Sequence, residues 1–145
     1  MKKITPFLWF DASIEEVVKF YTTVFPKVKV ESLSPMNATF VIDDQEFMAL
    51  NGGPQFKFNE AVSFFIRCES QDEIDYFWQK LTNDCGVESR CGWLKDKYGV
   101  SWQVVPNVLG KYISDADRTK ANRVMQAMLK MTKLDIAALE AAYVA

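Results

Sequence analysis

Apolar and polar positions along this chain follow one order of elements, and that order runs twice. Residues 4–10 are apolar on both faces, as expected of a strand buried on both sides. Asp11 and Ser13 supply helix-start chemistry, and Ser13 with Glu16 has capping-box spacing. The helix should run to about Phe25, with Val17, Phe20, Tyr21 and Val24 at helical spacing, and Pro26 ends it. Strands are predicted over 28–33, 38–42 and 46–51, the last two joined by a turn at Asp43-Asp44. Gly52-Gly53-Pro54 is the strongest break in the chain.

The order then restarts. Residues 61–68 form a second apolar strand, and 71–83 a second amphipathic helix with Ile74, Phe77, Trp78 and Leu81 inward. Gly86 marks its exit, and strands are predicted over 87–90, 92–95 and 100–105. At an offset of 57 the two halves superpose: Phe20-Tyr21 meets Phe77-Trp78, Glu16 meets Glu73 and Val17 meets Ile74. The fold class is therefore α+β, with two βαβββ repeats. A single domain spans 1–145, with units at 1–53 and 61–106 and a helical extension at 107–145. In that extension Ala121, Val124, Met125, Met128 and Leu129 form one stripe, and Asp135 can cap a last helix. Packing of the stripe on the domain's own sheet is the favoured reading, with a subunit contact as the other.

Composition narrows the function. The net charge is -2, with no basic run longer than Lys2-Lys3, so nucleic-acid binding is rejected. No signal peptide or membrane-spanning stretch is read from the chain. Three cysteines without CxxC spacing argue against a disulfide framework or structural zinc and fit a reducing cytoplasm. The chain has no His, which excludes a Cys-His nucleophile but leaves open a Cys activated by Arg67 or Arg90. Asp43-Asp44 reads as a turn, and Asp115 with Asp117 as helix-start chemistry. With 14% aromatic residues, a core and an aromatic-lined cavity are both supplied.

The segment CGWLKDKYGVSWQVVP at 91–106 reads as strand, tight turn, strand, and carries the spacing Asp96-x-x-Gly99-x-x-x-Gln103. With the two βαβββ units and the Phe20-Tyr21 pair, it resembles the vicinal-oxygen-chelate superfamily of glyoxalases, bleomycin-resistance proteins and dioxygenases. ITPFLWFD at 4–11, FMALNGGPQFKFNEA at 47–61 and RVMQAMLKM at 123–131 add a closer resemblance to the PhnB-like branch. That branch often bears the label 3-demethylubiquinone-9 3-methyltransferase. Residues 33–39 look short for it, so that hairpin should be clipped. The label itself finds no support: Asp11-Ala12-Ser13 follows the first strand, where a nucleoside-binding crevice would need a Gly-rich turn.

The resemblance implies that the two repeats form an incurled mixed sheet, that the protein is a homodimer and, commonly, that a divalent metal is held at the first and last strands of each unit. Carried over, those positions fall near Ile4, near Val62, on Gln103, and, at an offset of 54, on Ala49 with Asn51 as the alternative. Neutral amides alone hold a first-row divalent ion poorly, so no metal and no cofactor is expected. Strand alternation puts Ser101 and Gln103 on one face and Trp102 and Val104 on the other, and the resemblance turns the Gln103 face toward the cavity. The cavity candidates are Gln103, Ser101, Asn51, Ala49, Leu8, Phe64 and Gln55, the last on a loop at 51–59. Two functions remain: a metal-free small-molecule-binding module, or a superfamily enzyme of lyase, isomerase, dioxygenase or transferase type.

Overall fold

The computed structural model describes residues 2–145. The chain divides between Phe58 and Asn59 into two compact units, inside the connector that separates the repeats. Each unit contains one four-stranded mixed sheet. The architecture is α+β with two βαβββ units, as expected, and the strands form two hydrogen-bonded ladders, one in each unit. The reason is local: in each unit the first strand pairs in parallel with that unit's own last strand.

The first unit comprises β1 (Phe7–Phe10), α1 (Ile14–Val24), β2 (Val28–Leu33), β3 (Asn37–Ile42) and β4 (Gln45–Asn51), in sheet order β1-β4-β3-β2. Leu8, Phe10, Ala38, Phe40, Ile42, Phe47 and Ala49 are buried on the α1 side. Tyr21 of α1 stacks on Phe40, which stacks on Phe47. The first strand is not buried on both faces. It is an edge strand, Phe7 is 54% exposed, and Ile4 lies outside it. Ser13 is the N-cap residue of α1 but makes no side-chain cap bond. The Glu16 N–H, which such a cap would bind, goes to the Ser13 carbonyl at 3.1 Å, and the Ile14 N–H goes to the Pro35 carbonyl at 3.0 Å. A missing cap costs about 1 kcal/mol. That is small beside burial of Ile14, Val17, Val18, Tyr21 and Val24, each contributing about 1.5–3 kcal/mol.

β2 and β3 are joined through Ser34, Pro35 and Met36, and the Ser34 hydroxyl accepts from the N–H groups of Met36 and Asn37. Asp43 and Asp44 form the tight turn into β4, both at positive φ.

The second unit repeats the order with β5 (Ser63–Cys68), α2 (Gln71–Thr82), β6 (Val87–Glu88), β7 (Trp93–Lys95) and β8 (Ser101–Pro106), in sheet order β5-β8-β7-β6. Ile74, Phe77, Trp78 and Leu81 are the buried residues of α2, the four expected from periodicity. Here the cap is made: Ser70 accepts from the Glu73 N–H, and the Glu73 carboxylate accepts from the Glu69 N–H.

Three helices complete this unit: α3 (Asn107–Ile113), α4 (Arg118–Leu129) and α5 (Ile136–Val144). Asp117 and Asp135 cap α4 and α5 as their positions suggested. Val105 of β8 shares a core with Leu109, Val124, Leu134 and Leu139, against which Met128 and Met131 pack. The Met-rich stripe thus serves the unit's own core, although Leu129 remains 49% exposed.

Candidate functional site

Asp96 organises the β7–β8 hairpin. Its Oδ1 accepts from the N–H groups of Tyr98 and Val100, and its Oδ2 from Trp102 Nε1 at 2.9 Å. Gly99, at φ +85°, supplies the left-handed step and donates its N–H to the Asp96 carbonyl. With the turn fixed, register is fixed: Lys95 opposes Ser101, Leu94 opposes Trp102, and Trp93 opposes Gln103. Opposed residues share a face. Leu94 and Trp102 are buried on the α2 side, so Trp93, Lys95, Ser101 and Gln103 all project from the far face.

That face carries a pocket of about 220 Å³ lined by Glu60, Val87, Trp93, Lys95 and Ser101, among others. Ser101 is only 1% exposed, and its hydroxyl has no hydrogen-bond partner. Lys95 pairs with Glu60, which holds the Glu60 carboxyl below its ordinary range, chiefly through their hydrogen bond. Glu88 also borders the pocket, but it opposes Leu94 and its Oε1 accepts from Trp78 Nε1 at 2.6 Å. Its carboxylate therefore belongs to the α2 side. Gln103 donates to Ser63 Oγ at 3.0 Å and stands beside the pocket rather than among its lining residues. Farther along the face, the Arg67 guanidinium lies over the Phe65 ring.

Other sequence candidates fall elsewhere. Phe64 opposes Trp102 and packs on it at 5.3 Å, on the helix side. Leu8 opposes Ala49, and both are buried on the α1 side of the first sheet. Asn51 shares that side at the end of β4, and Gln55 is an exposed connector residue. Leu8, Ala49 and Phe64 thus face the helices of their own units rather than the far faces of their sheets. The offset of 54 that equated Ala49 with Gln103 is one residue out, and a one-residue slip in a strand reverses the face. The β4 residues on the far face are Glu46, Met48 and Leu50. Trp93, Lys95 and Glu60 were missed by the sequence reading. Counting outward by twos on both sides of the 96–99 turn would have found the first two.

The metal positions implied by the superfamily do not fit a divalent ion. Ile4 and Val62 are 86% and 67% exposed apolar residues, Ala49 is buried, and Asn51 and Gln103 offer only neutral amides. Among the described residues, no group of three or more His, Cys, Asp or Glu could hold a metal. Burial, then Glu73, pushes the Cys68 thiol up to about 12, opposite to the lowering left open for Arg67.

Two βαβββ units on mixed four-stranded sheets, with the Asp96-Gly99 hairpin, give the chain the fold it shares with a solved glyoxalase-related enzyme. The model of the family described as 3-demethylubiquinone-9 3-methyltransferase matches residues 2–105, and the chain belongs to that family. The match stops before the segment at 123–131 that also suggested it. A solved PhnB protein from Bacillus cereus, bearing the same methyltransferase description, is 35% identical, with a TM-score of 0.66 over 72% of this chain and 99% of that one. A glyoxalase-related enzyme from Fulvimarina pelagi is 12% identical, with a TM-score of 0.57 over 75% of this chain and 91% of that one. The fosfomycin resistance protein FosX of Listeria monocytogenes, complexed with Mn(II) and sulfate, is 10% identical, with a TM-score of 0.52 over 70% and 87%. The last two share the fold alone. No curated protein matches the chain. Among the described residues, no helix is long and apolar enough to cross a membrane.

Proposed function

We propose that the protein binds a small organic molecule, without a metal, on the far face of its second sheet. The observation that carries this reading is Ser101, a hydroxyl that is almost wholly buried, unpartnered and part of the pocket wall. A buried polar group without a partner costs about 1–3 kcal/mol. A ligand that accepts or donates a hydrogen bond there recovers that cost. Trp93 gives the pocket an indole wall, and Gln103 beside it keeps an amide oxygen unpaired.

Methyl transfer is disfavoured on the same grounds of geometry. Asp11-Ala12-Ser13 leads β1 into α1 without a glycine, and Gly52-Gly53 follows β4 and leads into the connector. Neither is the strand–Gly turn–helix arrangement of a nucleoside crevice. Metal-dependent chemistry of the kind suggested by the Mn(II) of FosX lacks a donor set in the positions compared above. The protein further acts as a homodimer in the cytoplasm. Phe7 and Met48, exposed on one face of the first sheet, are apolar surface for a second copy to cover, and its three cysteines are free thiols.

The test is a small-molecule screen by native mass spectrometry on protein stripped with chelator, with elemental analysis of the untreated protein. Binding that survives chelation and weakens in Ser101→Ala, with thermal stability unchanged or raised, is the expected result. Binding that requires a stoichiometric transition metal sinks the reading.

A further inference from the structure

The lining of the pocket narrows the ligand's charge. Lys95 and Ser101 are opposed residues on hydrogen-bonded strands, so the β7–β8 ladder holds their side chains on one face as neighbours. Glu60 lies outside the strands, on the segment that precedes β5, and its side chain is 64% exposed. Of the two partners in the Lys95–Glu60 pair, the loop-borne carboxylate is therefore the one that moves cheaply. Glu88 sits on the other side of the sheet, held by Trp78. With Glu60 displaced, the formal charges left on the far face of the four strands are those of Lys95 and Arg67. The Ser101 hydroxyl has no protein partner and almost no accessible surface, so it can donate only to an oxygen that packs directly against it beside Lys95.

We infer that this pocket takes a small organic carboxylate or similar oxyanion, bound by Lys95 and Ser101 against the Trp93 indole, and that Glu60 occupies the anion position until the ligand displaces it. This rests on the small-molecule reading above and specifies its chemistry. Glu60 acts as an intramolecular competitor: the pocket is kept neutral when empty, and the ligand must replace one carboxylate with another. The net gain comes from the hydroxyl bond and from apolar contact with Trp93, neither of which Glu60 supplies in the empty pocket.

The experiment uses sodium benzoate and its neutral isostere benzamide as probes, titrated into the isotopically labelled full chain and followed by amide chemical shifts. Benzoate is expected to shift the amides of Lys95 and Ser101 saturably and to bind about tenfold more tightly than benzamide, the ratio of a charged to a neutral hydrogen bond. Glu60→Gln should tighten benzoate about threefold to fivefold, the scale of an exposed ion pair, and leave benzamide unchanged. Lys95→Met should erase the preference for benzoate. Equal binding of the two probes in the pocket overturns the inference and leaves the small-molecule reading standing. So does a benzoate affinity that Glu60→Gln does not raise. Absence of benzoate from the pocket at about 10 mM, a range that detects even millimolar constants, also overturns the inference. The broader reading is then decided separately by the screen on chelator-treated protein.

Discussion

The indole N–H of Trp102 donates to the Asp96 carboxylate at 2.9 Å, tying the first residue of the β7–β8 turn to the α2 side of β8. The same carboxylate accepts from two backbone N–H groups of the turn, so one buried side chain fixes the turn's shape and the hairpin's register together. Register decides that Lys95 and Ser101 share a face. Asp96 is thus a positioning residue for the pocket without lining it.

Replacing Asp96 tests this. Asp96→Ala leaves the Trp102 and Val100 N–H groups without their present acceptor in a buried setting, and should cost about 2–4 kcal/mol. Asp96→Asn keeps the shape and one carbonyl acceptor, and should cost about half as much. Urea denaturation measures both. A loss below about 0.5 kcal/mol for the alanine variant would contradict the role given to this side chain.

The glycines at 52 and 110 predict opposite signs. A Cβ on Gly52 would sit 2.2 Å from the Trp9 indole, which is anchored by its N–H to the Gly53 carbonyl and flanked edge-on by Phe56. Gly52→Ala should therefore destabilise the first unit by about 1–3 kcal/mol through overpacking. Gly110, in α3, has nothing within 4 Å of its hypothetical Cβ. Gly110→Ala should raise stability by about 0.5–1 kcal/mol from helix propensity. Parallel thermal melts of the two variants make the comparison.

Tyr143 fastens α5 to the turn before α4. Its hydroxyl donates to Asp115 Oδ2, its ring stacks on Tyr112 at 4.3 Å, and Arg123 donates to the carbonyls of Ala142 and Tyr143. The bond lowers the Asp115 pKa and raises that of Tyr143, each chiefly through the other. The signs follow. The Asp115 share is present above the ordinary carboxylate range and is lost as pH falls through its lowered folded value. The Tyr143 share is complete below the ordinary tyrosine value of about 10 and is lost as pH rises through its raised folded value. The stability difference between wild type and Tyr143→Phe should accordingly shrink above about pH 10. Thermal melts across pH 7–11 read it, and a gap that stays constant would refute the assignment.

The repeat was legible because its carriers are local. Pro26, the Asp43-Asp44 turn, Gly99 and the four inward residues of α2 each announce an element without reference to distant partners. Ser13 shows where local signals mislead: its spacing with Glu16 suits a capping box, yet its side chain makes no cap bond, and the first helical N–H, that of Ile14, is taken by the Pro35 carbonyl 21 residues downstream. Glu60 was invisible for a related reason, because its partner lies 35 residues away and no spacing rule connects a loop acid to a strand lysine.

The sequence by itself determined the order of elements, their doubling, the tight turns and the family, since each depends on periodicity and turn chemistry within a few residues. It also placed Ser101 and Gln103 on one face, because alternation along a single strand is a local rule. Only the tertiary structure decided which residues of other strands share that face. The period of a strand is two, so an alignment of the repeats that errs by one residue sends Ala49 to the core and misses Met48 and Leu50. Hydrogen-bonded pairing, not sequence spacing, is what brought Lys95 and Trp93 beside Ser101 and left its hydroxyl buried in want of a partner.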